Sequence, residues 1–124
     1  MITDNNHRQE LRLDSDDTIF IEVHHRYEEQ GQNSSTVLIC NSVDVSANGI
    51  QAIIDKPLPL EAIYPLCIEV AETAQQICLV AQVKWLRQHS DNATYSVGLM
   101  IFESDDTDIE QWKRYIADKL SEQQ

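Results

Sequence analysis

The chain is expected to fold as a mainly β protein, a six-stranded antiparallel β-barrel with a C-terminal α-helix. Three observations carry that expectation. Short apolar runs of period two recur from residue 18 to residue 102, separated by turn residues. The period changes once, after residue 103, to the 3–4 spacing of an amphipathic helix. A length of 124 residues suits one domain with one core, and closing the sheet removes unpaired edges without further chain.

The elements run in order along the chain. Residues 1–16 are polar and read as a flexible N-terminal arm, with 17–121 as barrel and helix. In TIFIEVHHRY (18–27) Ile19, Ile21 and Val23 alternate with Phe20, Glu22 and His24. EEQGQNSS (28–35) has loop chemistry. TVLICNSV (36–43) and GIQAII (49–54) read as strands around the turn DVSANG. DKPLPLEAIYP (55–65) holds all three prolines and reads as a surface connection, because proline cannot donate to a ladder. LCIEVA (66–71) and QICLVAQVKWL (76–86) form a hairpin, and ATYSVGLMIF (93–102) is the last strand. In SDDTDIEQWKRYIADKL, acidic residues suit a helix N-terminus and Thr107 with Glu110 fits a capping box. Ile109, Trp112, Ile116 and Leu120 then make one apolar face that must cover an open end of the sheet.

Composition narrows the function classes. No apolar leader or spanning segment occurs, so the default expectation is a cytoplasmic protein that does not insert into membranes. Cys40, Cys67 and Cys78 are odd in number and widely spaced, which predicts buried free thiols rather than a disulfide framework or a zinc site. A formal charge of -12 disfavours DNA or RNA as a partner, since a polyanion needs a basic surface. His24 and His25 alternate across a strand and cannot share a metal ion, and His89 falls in a polar turn. No catalytic motif occurs, so an enzyme is not expected.

Two short motifs remain. In Asp44-Val-Ser-Ala-Asn-Gly49 an inward Val45 would leave Asp44 and Ser46 on one outer face. A carboxylate that accepts and a hydroxyl that does both can read the donor edge of a guanine. Asn48-Gly49 is a turn dipeptide, and Gly49 permits positive φ and close approach of a flat ligand. These same ingredients also make ordinary turns. In Arg8-Gln-Glu-Leu-Arg12 two arginines four apart offer planar donor forks that fit phosphate oxygens and stack on bases.

R-x-x-x-R ahead of a first strand, then D-x-S-x-x-G after the second, resembles the PilZ domain family. Val83-Lys-Trp85 and Gly98-Leu-Met-Ile-Phe102 look like two further family signatures, and the likeness runs over roughly residues 7–121. The resemblance implies a bacterial receptor for the second messenger cyclic di-GMP, with no other cofactor. Carried over by position, it assigns Arg8 and Arg12 to phosphate and base stacking, Asp44 and Ser46 to guanine, Gly49 to close backbone approach, and Trp85 to a pocket wall. Asn48 accompanies the turn. Where many members have a basic residue before the first arginine, this chain has His7, which leaves one or two ligand molecules per chain open. Binding is expected to order the arm and show a new surface to a protein partner. The alternative is a PilZ-like protein-interaction domain, of the pilus or motility adaptor kind, that binds no nucleotide.

Overall fold

A computed structural model describes residues 11–27, 32–91 and 93–122, with backbone alone at 25–27 and 32–34. The elements are β1 (Leu13–Asp14), β2 (Thr18–Tyr27), β3 (Gln32–Val45), β4 (Gly49–Ile54), β5 (Ile63–Glu69), β6 (Gln76–Gln88), β7 (Tyr95–Ile101) and α1 (Ile109–Glu122). Six long strands run in the order β3-β2-β5-β6-β7-β4, and β4 pairs back onto β3. The barrel is therefore closed and antiparallel, with one C-terminal helix, as the alternating sequence predicts. β1 is a two-residue addition: Leu13 pairs with Val45 and Asp14 with Asp44. The end of the expected arm thus lies on the sheet.

The inward positions of the period-two runs make the core. Ile19, Ile21, Ile68, Ile77, Val83 and Val97 are each at most 1% exposed, and each such burial contributes about 1.5–3 kcal/mol. The helix seals one end. Ile109, Trp112 and Ile116 are buried beneath it, with Leu120 packed at the margin. Asp17 anchors that end. Its carboxylate accepts from the Ala71 amide (3.1 Å) and the Tyr115 hydroxyl (2.9 Å), tying the start of β2 to the β5–β6 turn and to α1. Burial, with the Asp17 hydrogen bond second, pushes the Tyr115 phenol above its ordinary value. No helix among the described residues is long and apolar enough to cross a membrane.

The structure departs from the sequence reading at five points. β3 begins at Gln32, inside the expected loop, because its first residues pair with the end of β2. Pro65 lies within β5, opposite Val80. The β2 ladder stops at Leu66, so the missing Pro65 N–H costs no pairing on that side. The expected capping box does not form. The Thr107 hydroxyl donates to the Ser104 carbonyl (2.6 Å), while the Asp108 carboxylate accepts from the Cys78 amide (2.9 Å) and docks the helix start on β6. Cys67 and Cys78 face each other across β5 and β6 and are joined in a disulfide, leaving Cys40 as the buried free thiol. An odd count requires one unpaired cysteine, but only the hairpin register decides whether the other two meet. Such a bond is uncommon in a reducing compartment. Finally, His89 is not a free turn residue: its ring lies 2.8 Å from the Thr94 hydroxyl and 2.7 Å from that of Ser96.

Candidate functional site

Two bulges shape the outer surface. In β3, Ser42 pairs with Ala52 and Asp44 with Gln51, so Val43 is an extra residue. In β6, Val83 pairs with Leu99 and Trp85 with Gly98, so Lys84 is extra. Without these insertions the alternation that buries Ser42 and Val83 would also bury Asp44 and Trp85. A bulge re-aims the next side chains of its strand, and both of these turn outward. The result is a single cross-strand row, Asp44–Gln51–Gly98–Trp85, spanning β3, β4, β7 and β6.

The turn beside that row, Ser46 to Asn48, is held from within. The Ser46 hydroxyl accepts from the Gly49 amide (3.1 Å), and the Ser46 amide donates to the Gly49 carbonyl (2.9 Å). From α1, Trp112 Nε1 donates to the carbonyls of Ser46 and Ala47, both at 3.2 Å. The helix stripe that seals the barrel therefore also positions the turn. Gly49 does not use the left-handed backbone that glycine permits. Its need is space, because a Cβ there would lie 3.1 Å from the Leu99 carbonyl and 3.9 Å from Arg12 Nη1.

Arg12 closes one end of the row. Its Nε and Nη2 both lie 2.7 Å from Asp44 Oδ1, and Nη1 lies 3.4 Å from the Ser46 hydroxyl. The pair is partly open to solvent, with side chains 42% and 22% exposed. Trp85 closes the other end and is 41% exposed. Its indole lies against Gly98, where an added Cβ would come within 2.2 Å of Nε1. The two signatures around Val83-Lys-Trp85 and Gly98 are thus one contact: the glycine exists because the indole rests on it.

Between these ends lies an open groove of about 520 Å³ lined by residues including Arg12, Asn48, Gly49, Gln51, Lys84, Trp85 and Met100. Its charged lining residues, Arg12 and Lys84, are both cationic on a chain of net charge -12.

Of the residues singled out from sequence, Arg12, Asn48, Gly49 and Trp85 line the groove, and Asp44 flanks it through Arg12. Ser46 is fully buried, its hydroxyl spent on Gly49 and Arg12. His7 and Arg8 lie outside the described residues. Gln51, Lys84 and Trp112 were missed. The available signal was spacing: inward Ser42 and Val45, and inward Val83 and Leu86, are three apart where period two demands two.

The chain is thus a small closed β-barrel with a cationic, indole-walled groove on its outer strands. The model of the family described as "PilZ domain" matches residues 6–118, and this chain belongs to that family. Among solved structures, it resembles the cyclic di-GMP-bound PilZ domain of YcgR from Escherichia coli, with TM-score 0.65, 14% identity, and 94% of each chain covered. It resembles the Bacillus subtilis inhibitor of motility MotI (DgrA) with TM-score 0.65 and 20% identity over 96% of this chain and 53% of that one. The cyclic di-GMP complex of K. pneumonia MrkH gives TM-score 0.65 and 17% identity over 98% and 55%. The chain thus spans about half the length of MotI and MrkH. At these identities the likeness is one of fold. Comparison with curated protein sequences finds no match.

Proposed function

We propose that the chain is a receptor for cyclic di-GMP, acting by binding and relay rather than by catalysis. The observation that carries this reading is the Arg12 guanidinium bonded to Asp44 and Ser46. A guanidinium and the N1–H/2-amino edge of guanine present the same donor pattern to a carboxylate. The site that would read guanine is held in the free chain by a side chain of matching chemistry.

Binding is then an exchange. The guanine edge takes Arg12's place on Asp44, one charge-assisted pair replacing another at little net cost. Arg12 turns to a phosphodiester, which its planar fork fits. Stacking on the Trp85 face adds about 1–3 kcal/mol per base. Arg8 joins through the motif as the second phosphate-gripping arginine. Since Leu13 and Asp14 are paired with β3 beside Asp44, movement of Arg12 shifts the leading segment. A protein partner reads that change. A net charge of -12 favours protein over DNA as that partner.

Calorimetric titration with cyclic di-GMP tests the reading. The wild-type chain is expected to bind, and the measured stoichiometry gives one or two molecules per chain. Arg12→Ala is expected to abolish binding with the fold intact. Asp44→Ala is expected to weaken it and to narrow the preference over the adenine analogue. Undiminished affinity in Arg12→Ala would overturn the site.

The second reading, an interaction domain without nucleotide, draws on a different surface. Val37 and Ile39 of β3 are 53% and 61% exposed, with Phe20 of β2 paired beside Ile39. Absence of any heat or thermal shift with cyclic di-GMP would favour it.

A further inference from the structure

We infer that Lys84 is a second anion contact of the groove, set at the opposite end from Arg12 and aimed at the other phosphodiester of the same ligand; this rests on the cyclic di-GMP reading above. The first ground is backbone geometry. Lys84 is the extra residue of the β6 bulge, between Val83 and Trp85. A bulge usually turns one side chain. Here it leaves Lys84 and Trp85 both exposed and both in the groove wall, a cation beside an aromatic face.

The second ground is charge. Lys113 is held by Glu103 (2.7 Å) and Lys119 by Glu72 (2.9 Å). The Lys84 side chain has no hydrogen bond or ion pair with any described residue. The other concavities all carry carboxylates: Asp14, Asp16 and Asp17 with Lys119 in one, Glu22 and Asp106 in another, and Asp55 beside Lys56 in a third. The groove instead has Arg12 and Lys84 as its charged lining. On a body this acidic, two cations facing one concavity mark it for an anion.

The third ground is span. Asp44, which holds Arg12, and Trp85, which adjoins Lys84, are three interstrand steps apart in the row, roughly 14 Å at about 4.8 Å per step. Two long cationic side chains reaching inward from such ends can grip two charges of one compact ligand, where neither alone could. Lysine suits this end, because a point charge on a flexible stem does not compete with the ring stacked beside it.

The test compares Lys84→Gln, Lys84→Arg and a remote control, Lys56→Gln, by calorimetric titration with cyclic di-GMP at low and high ionic strength. Lys84→Gln is expected to weaken binding about tenfold at low salt, with a smaller loss at high salt. Lys84→Arg is expected to stay within about twofold of wild type, and Lys56→Gln to do the same. Affinity of Lys84→Gln equal to wild type at both salts, with Arg12→Ala dead, would overturn the inference and leave the receptor reading standing. An equal loss in Lys56→Gln would assign the effect to net charge and also overturn it. A wild-type chain that binds no cyclic di-GMP would remove both.

Discussion

The two tryptophans sit on opposite sides of one turn and do opposite things. Trp112, on α1, is wholly buried and donates its indole N–H to the carbonyls of Ser46 and Ala47. Trp85, on β6, is 41% exposed and rests on Gly98 at the outer surface. The helix side of the turn is packed and tied down by the Trp112 indole. The groove side is open, cationic and floored by glycine. The difference teaches how a small barrel can keep an open groove without loosening: rigidity comes from the packed face behind it. Such a division of labour agrees with general physics, since a site holds its geometry only if its supporting groups are locked by packing and hydrogen bonds.

Breaking the sealed side should have the largest effect. Trp112→Ala removes a fully buried ring and leaves two backbone carbonyls without their donor. A loss of about 3–5 kcal/mol is expected, or a fall in Tm of roughly 10–20 °C for a domain this size. Trp112→Phe separates packing from hydrogen bonding. It should cost about 1–3 kcal/mol and weaken ligand binding through the displaced turn. Thermal denaturation and then ligand titration read both. A Trp112→Phe chain with unaltered stability and affinity would mean that the indole N–H does not position the turn.

Breaking the open side should leave stability nearly untouched and strike binding. Trp85→Ala is expected to change folding free energy by less than about 1 kcal/mol, while weakening cyclic di-GMP binding by about 1–3 kcal/mol. Gly98→Ala should copy that loss without touching the tryptophan, because the added methyl must push the indole off its seat. Equal ligand affinities in Gly98→Ala and wild type would show that the seated indole is not the stacking surface. The ring is solvent-exposed and can swing away, so the fold is expected to tolerate the change.

What the sequence displayed, and what it hid, divides along the same line. Periodicity exposed the barrel, because alternation and the later 3–4 stripe are local patterns written within each element. The motifs exposed Arg12, Asp44, Gly49 and Trp85 as residues of interest. They did not disclose that Arg12 would lie on Asp44, since that contact joins positions 32 apart in the chain. Nor did the stripe that placed Trp112 in the core say that its N–H supports the Ser46 turn. The two bulges were visible only as a three-residue gap between apolar positions, which also occurs at strand ends. The Cys67–Cys78 bond and the placement of Pro65 both depend on which strand lies alongside β5, and no run of residues states its own neighbour.

The smallest effect tests how far the foot of α1 is shielded from water, at a half-buried phenol on the rim of a concavity. Tyr115 lies at the foot of α1 with its hydroxyl on Asp17, and burial raises its phenol above the ordinary value near 10. A raised folded-state value stabilises the neutral phenol. That contribution is complete below about pH 10 and is lost as pH rises through the folded-state value, because the unfolded chain releases its proton first. Wild-type stability should therefore fall as pH climbs from 9 towards 11. Tyr115→Phe lacks this term. It begins lower at pH 8, by about 1 kcal/mol for the lost hydrogen bond, and the gap to wild type should narrow with rising pH. Cys40, whose thiol burial pushes up to about 12, adds a decline of the same sign to both proteins and so cancels from the comparison. Denaturant titrations at pH 8 and pH 10.5 read the gap. A gap that stays constant would place water at the Tyr115 hydroxyl, and the contrast between a sealed helix face and an open groove would lose its sharper half.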